Sequence, residues 1–349
     1  MSGMSAGSGD PRLDRGPARD AAQAAFLVAA GWGRAKVAPL AGDASDRRYL
    51  RLRRDGGGRA VLMDSPPARG EDVRPFLTLT EILRGRGFSA PEVYAADPEA
   101  GFLLLEDLGD ALFARVAEAE PAREPELYAV AADLLSELQA EPADALPLPP
   151  YDGVTLLREA ALVWEWYWPG AAGGPVPEAA VAAIRSALEA ALVPVAGARS
   201  ALALRDYHAE NLVWLPERRG TARVGLLDHQ DALRGHGAYD LVSLLEDARR
   251  DVSEAAAARA EARFLAATGT DPAAHAAARA TLGAQRNLKI LGIFARLARR
   301  DGKPAYLALL PRVWGHLRRD LAHPALADLA RALEGLPAPD AAVRARLAA

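Results

Sequence analysis

Cysteine is absent from the 349 residues, which excludes disulfides, thiol nucleophiles and cysteine-ligated metals. No stretch reaches about 18 uninterrupted apolar residues, the length a bilayer-crossing helix needs, so no membrane partner is expected. Lysine is nearly missing; Lys36, Lys289 and Lys303 are the whole complement. Neither sign of charge dominates, with 42 Lys+Arg against 46 Asp+Glu and a net charge of -4. Nothing therefore draws the chain to nucleic acid or to an anionic surface. There is no Gly-x-x-x-x-Gly-Lys-Ser/Thr string, so P-loop nucleotide chemistry has no support. Residues 1–17 are small, polar and rich in Gly and Ser. They lack the apolar segment of a secretory signal and read as a disordered leader, consistent with a cytoplasmic location.

What remains is ordinary for a globular chain: half the residues are apolar and 25% are charged. At this length two lobes are expected. From 18 to 107 the pattern is strand-rich. "YLRLRRDGGGRAVLMD" reads as a hairpin turning at Asp55-Gly56-Gly57, "VRPFLTLTEILRGRGF" as a helix with Phe76, Leu79 and Leu83 on one side, and "APEVYAADPEAGFLLLEDLGD" as two short strands. From 108 to 349 helical periodicity dominates, broken by strand-like segments near 201–215 and 223–228. The expected class is α+β, a small antiparallel-sheet N-lobe joined to a larger, mainly helical C-lobe.

The chemistry is concentrated in "LRDYHAENLVWL". Asp206 and Asn211 stand five apart after an arginine. In phosphoryl-transferring kinases that spacing lets one loop accept the proton of the attacking hydroxyl and hold Mg²⁺ beside the nucleotide phosphates. Asp228 follows 22 residues later, at the end of the apolar run "VGLLD", where a kinase places its principal Mg²⁺ ligand. His208 reads equally as a loop histidine bonding backbone or as a chemical group. Asp240, at the head of "YDLVSLL", is placed either to cap a helix or to brace the loop.

Together these strings resemble the aminoglycoside phosphotransferase superfamily, small-molecule kinases with a protein-kinase-like fold. That family's loop runs His-Gly-Asp-x-His-x-x-Asn, and the Leu204-Arg205 pair departs from it. "AGDASDRRYLRL", "AVLMDSPP", "LLLEDLGD", "EWYW" and "LKILGIFARLARRDGKPAYL" further resemble, in order, the anomeric N-acetylmuramate/N-acetylglucosamine kinases of cell-wall recycling. The resemblance implies Asp206 as catalytic base, Asn211 and Asp228 as Mg²⁺ ligands, and His208 and Asp240 as structural braces. It also implies a phosphate loop at Gly42, Asp43, Ala44 and Ser45, and a nucleotide hinge at Glu106 and Leu108. The cofactors implied are ATP and Mg²⁺.

Three departures stand out. Where a kinase strand carries its lysine, "AVLM" places Met63, so Arg47 and Arg48 are the nearest replacement cations for the phosphates, with Arg48 preferred. The phosphate loop has one glycine, Gly42. His229 follows the metal aspartate where an aromatic is commoner.

For the acceptor, "VWEWYW" packs Trp164, Trp166, Tyr167 and Trp168 into five positions in a chain with only 6% aromatics. Such rings either stack on a sugar, with Glu165 beside them, or are helix core. Arg286, Lys289, Arg296 and Arg300 share a helix face that is either solvated or turned to a neutral or anionic substrate. Glu159 and Glu165 are the carboxylates available to a cationic one. The function expected is an ATP- and Mg²⁺-dependent kinase of the anomeric C1 hydroxyl of N-acetylmuramate and/or N-acetylglucosamine. The alternatives are an aminoglycoside or amino-alcohol phosphotransferase, or an inactive nucleotide-binding module.

Overall fold

The computed structural model describes residues 16–40, 47–196 and 200–349, in two compact units. The first comprises the described residues up to Asp110 together with Leu215–Arg218 and Gly225–Gln230. The second comprises Ala111–Trp214, Arg219–Val224 and Asp231–Ala349.

Unit one contains α1 (Pro17–Ala29), β1 (Lys36–Pro39), β2 (Arg48–Arg53), β3 (Arg59–Asp64), α2 (Arg74–Gly85), β4 (Val93–Asp97) and β5 (Phe102–Glu106). The strands form one antiparallel sheet in the order β1-β2-β3-β5-β4. Gly56 and Gly57 turn the chain between β2 and β3 at φ 103° and 102°, a conformation open to glycine without a Cβ clash. Side chains alternate across the pleat. Leu50, Leu52, Leu62 and Leu104 therefore face Leu27 of α1 on one side, while Met63, Leu103 and Leu105 face Phe76 of α2 on the other. Segment 225–230 joins the α2 side. Leu226 N–H donates to the Ser89 carbonyl at 3.0 Å. The buried His229 ring lies 4.5 Å from that of Phe76, with Nε2 2.8 Å from Thr80 Oγ1. His229 thus packs as an aromatic would and adds a hydrogen bond. Burial lowers its pKa to about 4, so the ring is neutral.

Unit two contains α3 (Phe113–Ala119), α4 (Glu124–Leu138), α5 (Gly153–Ala160), α6 (Trp168–Ala172) and α7 (Glu178–Ala196). Short strands β6 (Ser200–Ala203), β7 (Leu212–Trp214), β8 (Val224–Leu226) and β9 (Leu233–His236) follow; the last two residues of β8 belong with unit one. The chain ends in α8 (Ala238–Leu245), α9 (Glu254–Thr268), α10 (Pro272–Arg299), α11 (Leu310–Asp320), α12 (Ala327–Ala332) and α13 (Ala341–Ala348).

Helix α10 is the axis of this unit. Asp271 caps it by accepting the Ala274 N–H at 2.8 Å, with Pro272 in the first turn. Leu282, Leu288, Leu291 and Phe294 enter the core, each contributing roughly 1.5–3 kcal/mol on burial. A Cβ at Gly292 would lie 2.3 Å from the Leu162 carbonyl carbon, so only glycine lets α10 pack against the π-helical turn Val163–Tyr167. Helix α7 differs from the expectation of no spanning run. Over 18 residues its mean hydropathy is 1.6, long and apolar enough to cross a membrane by length and composition. Arg185 and Glu189 interrupt the apolar run, and Ile184, Leu188, Leu192 and Val195 pack into the core. Strand β6 pairs antiparallel with β9, Ala203 opposite Leu233, and its end delivers the segment that carries Asp206.

Candidate active site

Arg205 occupies the left-handed region at φ 71°, which costs a non-glycine residue about 1–2 kcal/mol. Several bonds hold it there. The Asp240 carboxylate accepts the N–H groups of Leu204 at 2.6 Å and Arg205 at 2.8 Å, and Ser243 Oγ donates to the Arg205 carbonyl at 3.1 Å. Asp240 is the third residue of α8, whose N-cap is Gly237, so its carboxylate braces the loop and does not cap the helix. Burial pushes this carboxyl up to about 7, against the pull of the two N–H donors. The Tyr207 hydroxyl donates to the Ala131 carbonyl at 2.9 Å and ties the loop to α4. The Asp206 carbonyl accepts Asn211 Nδ2 at 3.0 Å and the His208 N–H at 3.2 Å. This fixes the Asn211 amide plane and turns Oδ1 away from that carbonyl.

Burial alone would raise the Asp206 carboxyl. The Lys289 ammonium, with Arg286 and Arg205 behind it, outweighs burial and holds the group below its ordinary value. It is ionised at neutral pH, the state a proton acceptor requires. His208 is buried, and its Nε2 faces two donors, Arg249 Nη1 at 3.3 Å and Asn211 Nδ2 at 3.5 Å. The ring proton therefore belongs on Nδ1. Burial and then the Arg249 guanidinium lower its pKa to about 4, so His208 serves as a neutral acceptor beside Asn211.

In unit one, Asp228 is the other non-glycine residue with positive φ among the described residues, at 53°. Its Oδ1 accepts Gln230 Nε2 at 2.8 Å and lies 3.4 Å from Arg47 Nη1. Arg47 Nε in turn donates to Glu71 Oε2 at 2.8 Å.

The two candidate phosphate arginines separate by strand parity. Arg48 shares the α1 face with Leu50 and Leu52. It pairs with the fully buried Asp64 at 2.9 Å and donates to Gln23 Oε1 at 2.6 Å. These bonds tie the Arg48 guanidinium to Asp64 and Gln23. Arg47 has the parity of Tyr49, which pairs in register with Met63; this is the face on which the kinase lysine is missing.

Gly42, Asp43, Ala44 and Ser45 lie outside the described residues. Glu106 ends β5 and accepts Arg218 Nη2 at 2.6 Å, and Leu108 is half-buried just beyond it. The aromatic cluster is mostly core. Tyr167 is fully buried with its hydroxyl on the Pro337 carbonyl at 2.7 Å, Trp164 is buried, Trp166 is partly buried against the core and Glu165 is exposed. Of the two readings of this run, Trp164 and Tyr167 pack as core. Arg286 is not solvated; it is buried, its guanidinium donating to Ser243 Oγ at 2.9 Å. Sequence reasoning missed Glu71 and Ser243, which carry no local motif, and treated Glu159 as available to a cationic substrate. Glu159 is instead occupied by Arg205, Lys289 and the Tyr151 hydroxyl.

The Phosphotransferase enzyme family pattern matches residues 36–280, and the chain belongs to that family. It is an enzyme that transfers a phosphoryl group to an alcohol acceptor. Among curated relatives, it is 41% identical to the N-acetylmuramate/N-acetylglucosamine kinase of Caulobacter vibrioides, over 89% of this chain and 94% of that one. The protein of the same description from Pseudomonas aeruginosa is 37% identical, over 89% and 93%. A crystal structure of a choline/ethanolamine kinase family protein from Mesorhizobium loti has the same fold. It aligns at a TM-score of 0.57 and 17% identity, over 90% of this chain and 98% of that one. The sheet unit and the larger helical unit are those of a protein-kinase-like bilobal fold.

Proposed function

We propose that this chain is a cytoplasmic ATP- and Mg²⁺-dependent sugar kinase that phosphorylates the C1 hydroxyl of N-acetylmuramate and/or N-acetylglucosamine in peptidoglycan recycling. The observation that carries the reading is the braced loop in which an ionised Asp206 precedes an oriented Asn211 by five residues. The identity of up to 41% with kinases described for these sugars supports the choice of acceptor.

In this reading Asp206 accepts the hydroxyl proton as the sugar oxygen bonds to the γ-phosphorus of ATP and the bond to the β,γ-bridging oxygen breaks, releasing ADP. Asn211 in one unit and Asp228 in the other each offer a hard oxygen donor of the kind that would hold Mg²⁺, which needs few protein ligands when water and phosphate complete its shell. When bound, that ion supplies positive charge against the phosphate oxygens. Arg47, steadied by Glu71, adds the cation that the strand lost with its lysine. The neutral His208 keeps the Asn211 amide in place.

The test is incubation with ATP and Mg²⁺ against N-acetylmuramate, N-acetylglucosamine, aminoglycosides and amino alcohols, with products identified by ³¹P NMR. A sugar 1-phosphate whose phosphorus couples to the anomeric proton is expected, with no product after chelation of Mg²⁺. Turnover of aminoglycosides alone would transfer the assignment to that class. ATP binding without turnover of any acceptor would mark an inactive module.

A further inference from the structure

The basic stripe on α10 does not behave as one surface. Arg300 pairs with its neighbour Asp301 at 2.6 Å in the open. About three to four helical turns toward the N-terminus, Arg286 is buried and the Lys289 side chain is only 14% exposed. Lys289 Nζ lies 2.9 Å from Glu159 Oε2. Glu159 comes from α5 and also takes the Arg205 guanidinium and the Tyr151 hydroxyl. Arg205 immediately precedes Asp206, so one carboxylate ties α5, α10 and the catalytic loop together.

The left-handed backbone at 205 suits glycine, yet an arginine stands there and its side chain is fully employed. Besides Glu159, Nη1 donates to the Asp231 carbonyl at 3.1 Å, and the guanidinium lies 5.2 Å from the centre of the Tyr151 ring. Glu159 carries one negative charge between two cations, so neither is fully compensated by it. The Lys289 ammonium acts on Asp206 more strongly than any other cation. A hydroxyl activated by Asp206 must come within about 3 Å of that carboxylate, and Lys289 is joined through Glu159 to Arg205, the residue next to Asp206. A polycationic acceptor would meet like charge there, and a carboxylate would meet a held, largely desolvated donor.

We propose that Lys289, clamped by Glu159 with Arg205 on the same carboxylate, is the acceptor-side cation of this enzyme and selects an amino sugar that carries a carboxylate. The proposal rests on the sugar-kinase reading above and adds a preference between its two sugars. The lactyl ether of N-acetylmuramate bears the carboxylate, and N-acetylglucosamine has none. Glu159 and Arg205 are positioning residues; Lys289 makes the contact.

Both sugars are measured on wild type, Lys289→Met, Lys289→Arg and Glu159→Gln, with equilibrium sugar binding recorded beside turnover. For Lys289→Met the ratio of kcat/KM for N-acetylmuramate to that for N-acetylglucosamine is expected to fall tenfold or more, mainly through KM, as a charge-assisted contact is lost. The binding ratio should fall in parallel. Lys289→Arg should restore most of the preference, and Glu159→Gln should lower it severalfold. If Lys289→Met does not fold, the Glu159→Gln ratio decides. An unchanged ratio, or an equal loss for both sugars, overturns the selection role and leaves the sugar assignment standing. A wild-type protein that phosphorylates neither sugar removes the assignment itself.

Discussion

Among the described residues, the two that accept a left-handed backbone without being glycine, Arg205 and Asp228, mark the two motifs visible in the sequence, and different groups hold them. At Arg205 the backbone itself is gripped by the buried Asp240 carboxylate through two N–H groups and by the Ser243 hydroxyl on the carbonyl. At Asp228 the carboxylate accepts Gln230 Nε2 and lies 3.4 Å from Arg47 Nη1. The first arrangement fixes the backbone that leads into Asp206. The second joins a carboxylate to the Gln230 amide and to a guanidinium that it shares with Glu71. Geometry set by backbone bonds to a buried charge should be intolerant of change; geometry set by long side chains should be adjustable.

The largest effects test that contrast directly. Asp206→Asn removes the proton acceptor, and kcat should fall about 10²–10⁴-fold at every Mg²⁺ concentration. Asp228→Asn should cause a loss of similar size at low Mg²⁺ that is partly recovered as Mg²⁺ is raised, because a weakened ligand can be offset by mass action. Equal Mg²⁺ dependence of the two variants would erase the distinction.

A middling effect is expected at the brace. Asp240→Asn can still accept one of the two N–H groups but sets its own NH₂ against the other, and about a tenfold loss of kcat should follow. In the wild type, Asp240 protonates as pH falls through about 7, so its grip and the rate decline on the acid side; the variant should lack this limb between pH 6 and 8. Stability has the opposite sign. A carboxyl raised from 3.8 to about 7 binds a proton in the folded chain that the unfolded chain has already released. Its contribution to stability is full below about 4 and is lost as pH rises through 7. The stability gap between wild type and Asp240→Asn should therefore narrow from pH 5 to pH 8 in thermal melts.

The smallest effects separate the arginines. Arg47→Ala should raise the KM for ATP severalfold with little change in melting temperature. Arg48→Ala should act on folding instead, by about 1–3 kcal/mol, since Asp64 is left buried with Arg19 still on it at 2.6 Å. A shift in ATP dependence larger for Arg48 than for Arg47 would reverse the assignment of the two.

Much of the fold was legible because it is local. The strand alternation around Leu50 and Leu52, the double glycine of the hairpin and the 3.6-residue periodicity of α2, α4 and α10 are properties of neighbouring residues. The Asp206–Asn211 spacing is legible for the same reason, as five residues close a loop with its own hydrogen bonds. The aromatic run was harder to read. Composition showed four rings in five positions, but a π-helical turn and the absence of a Cβ at Gly292 send Trp164 and Tyr167 into the core. Between Arg47 and Arg48 the sequence favoured Arg48, but register places the two on opposite sides of one sheet.

The amino-acid sequence by itself determined the class of elements, the loop that carries Asp206 and Asn211, and the family, because each depends on spacing along the chain. Tertiary structure alone decided which charges meet. Asp240 with the Arg205 N–H, Glu71 with Arg47, and Glu159 with Arg205 and Lys289 join residues 24 to 130 positions apart. Such pairings follow from register and helix packing, and desolvation then makes those few contacts matter far more than the many charges left in water.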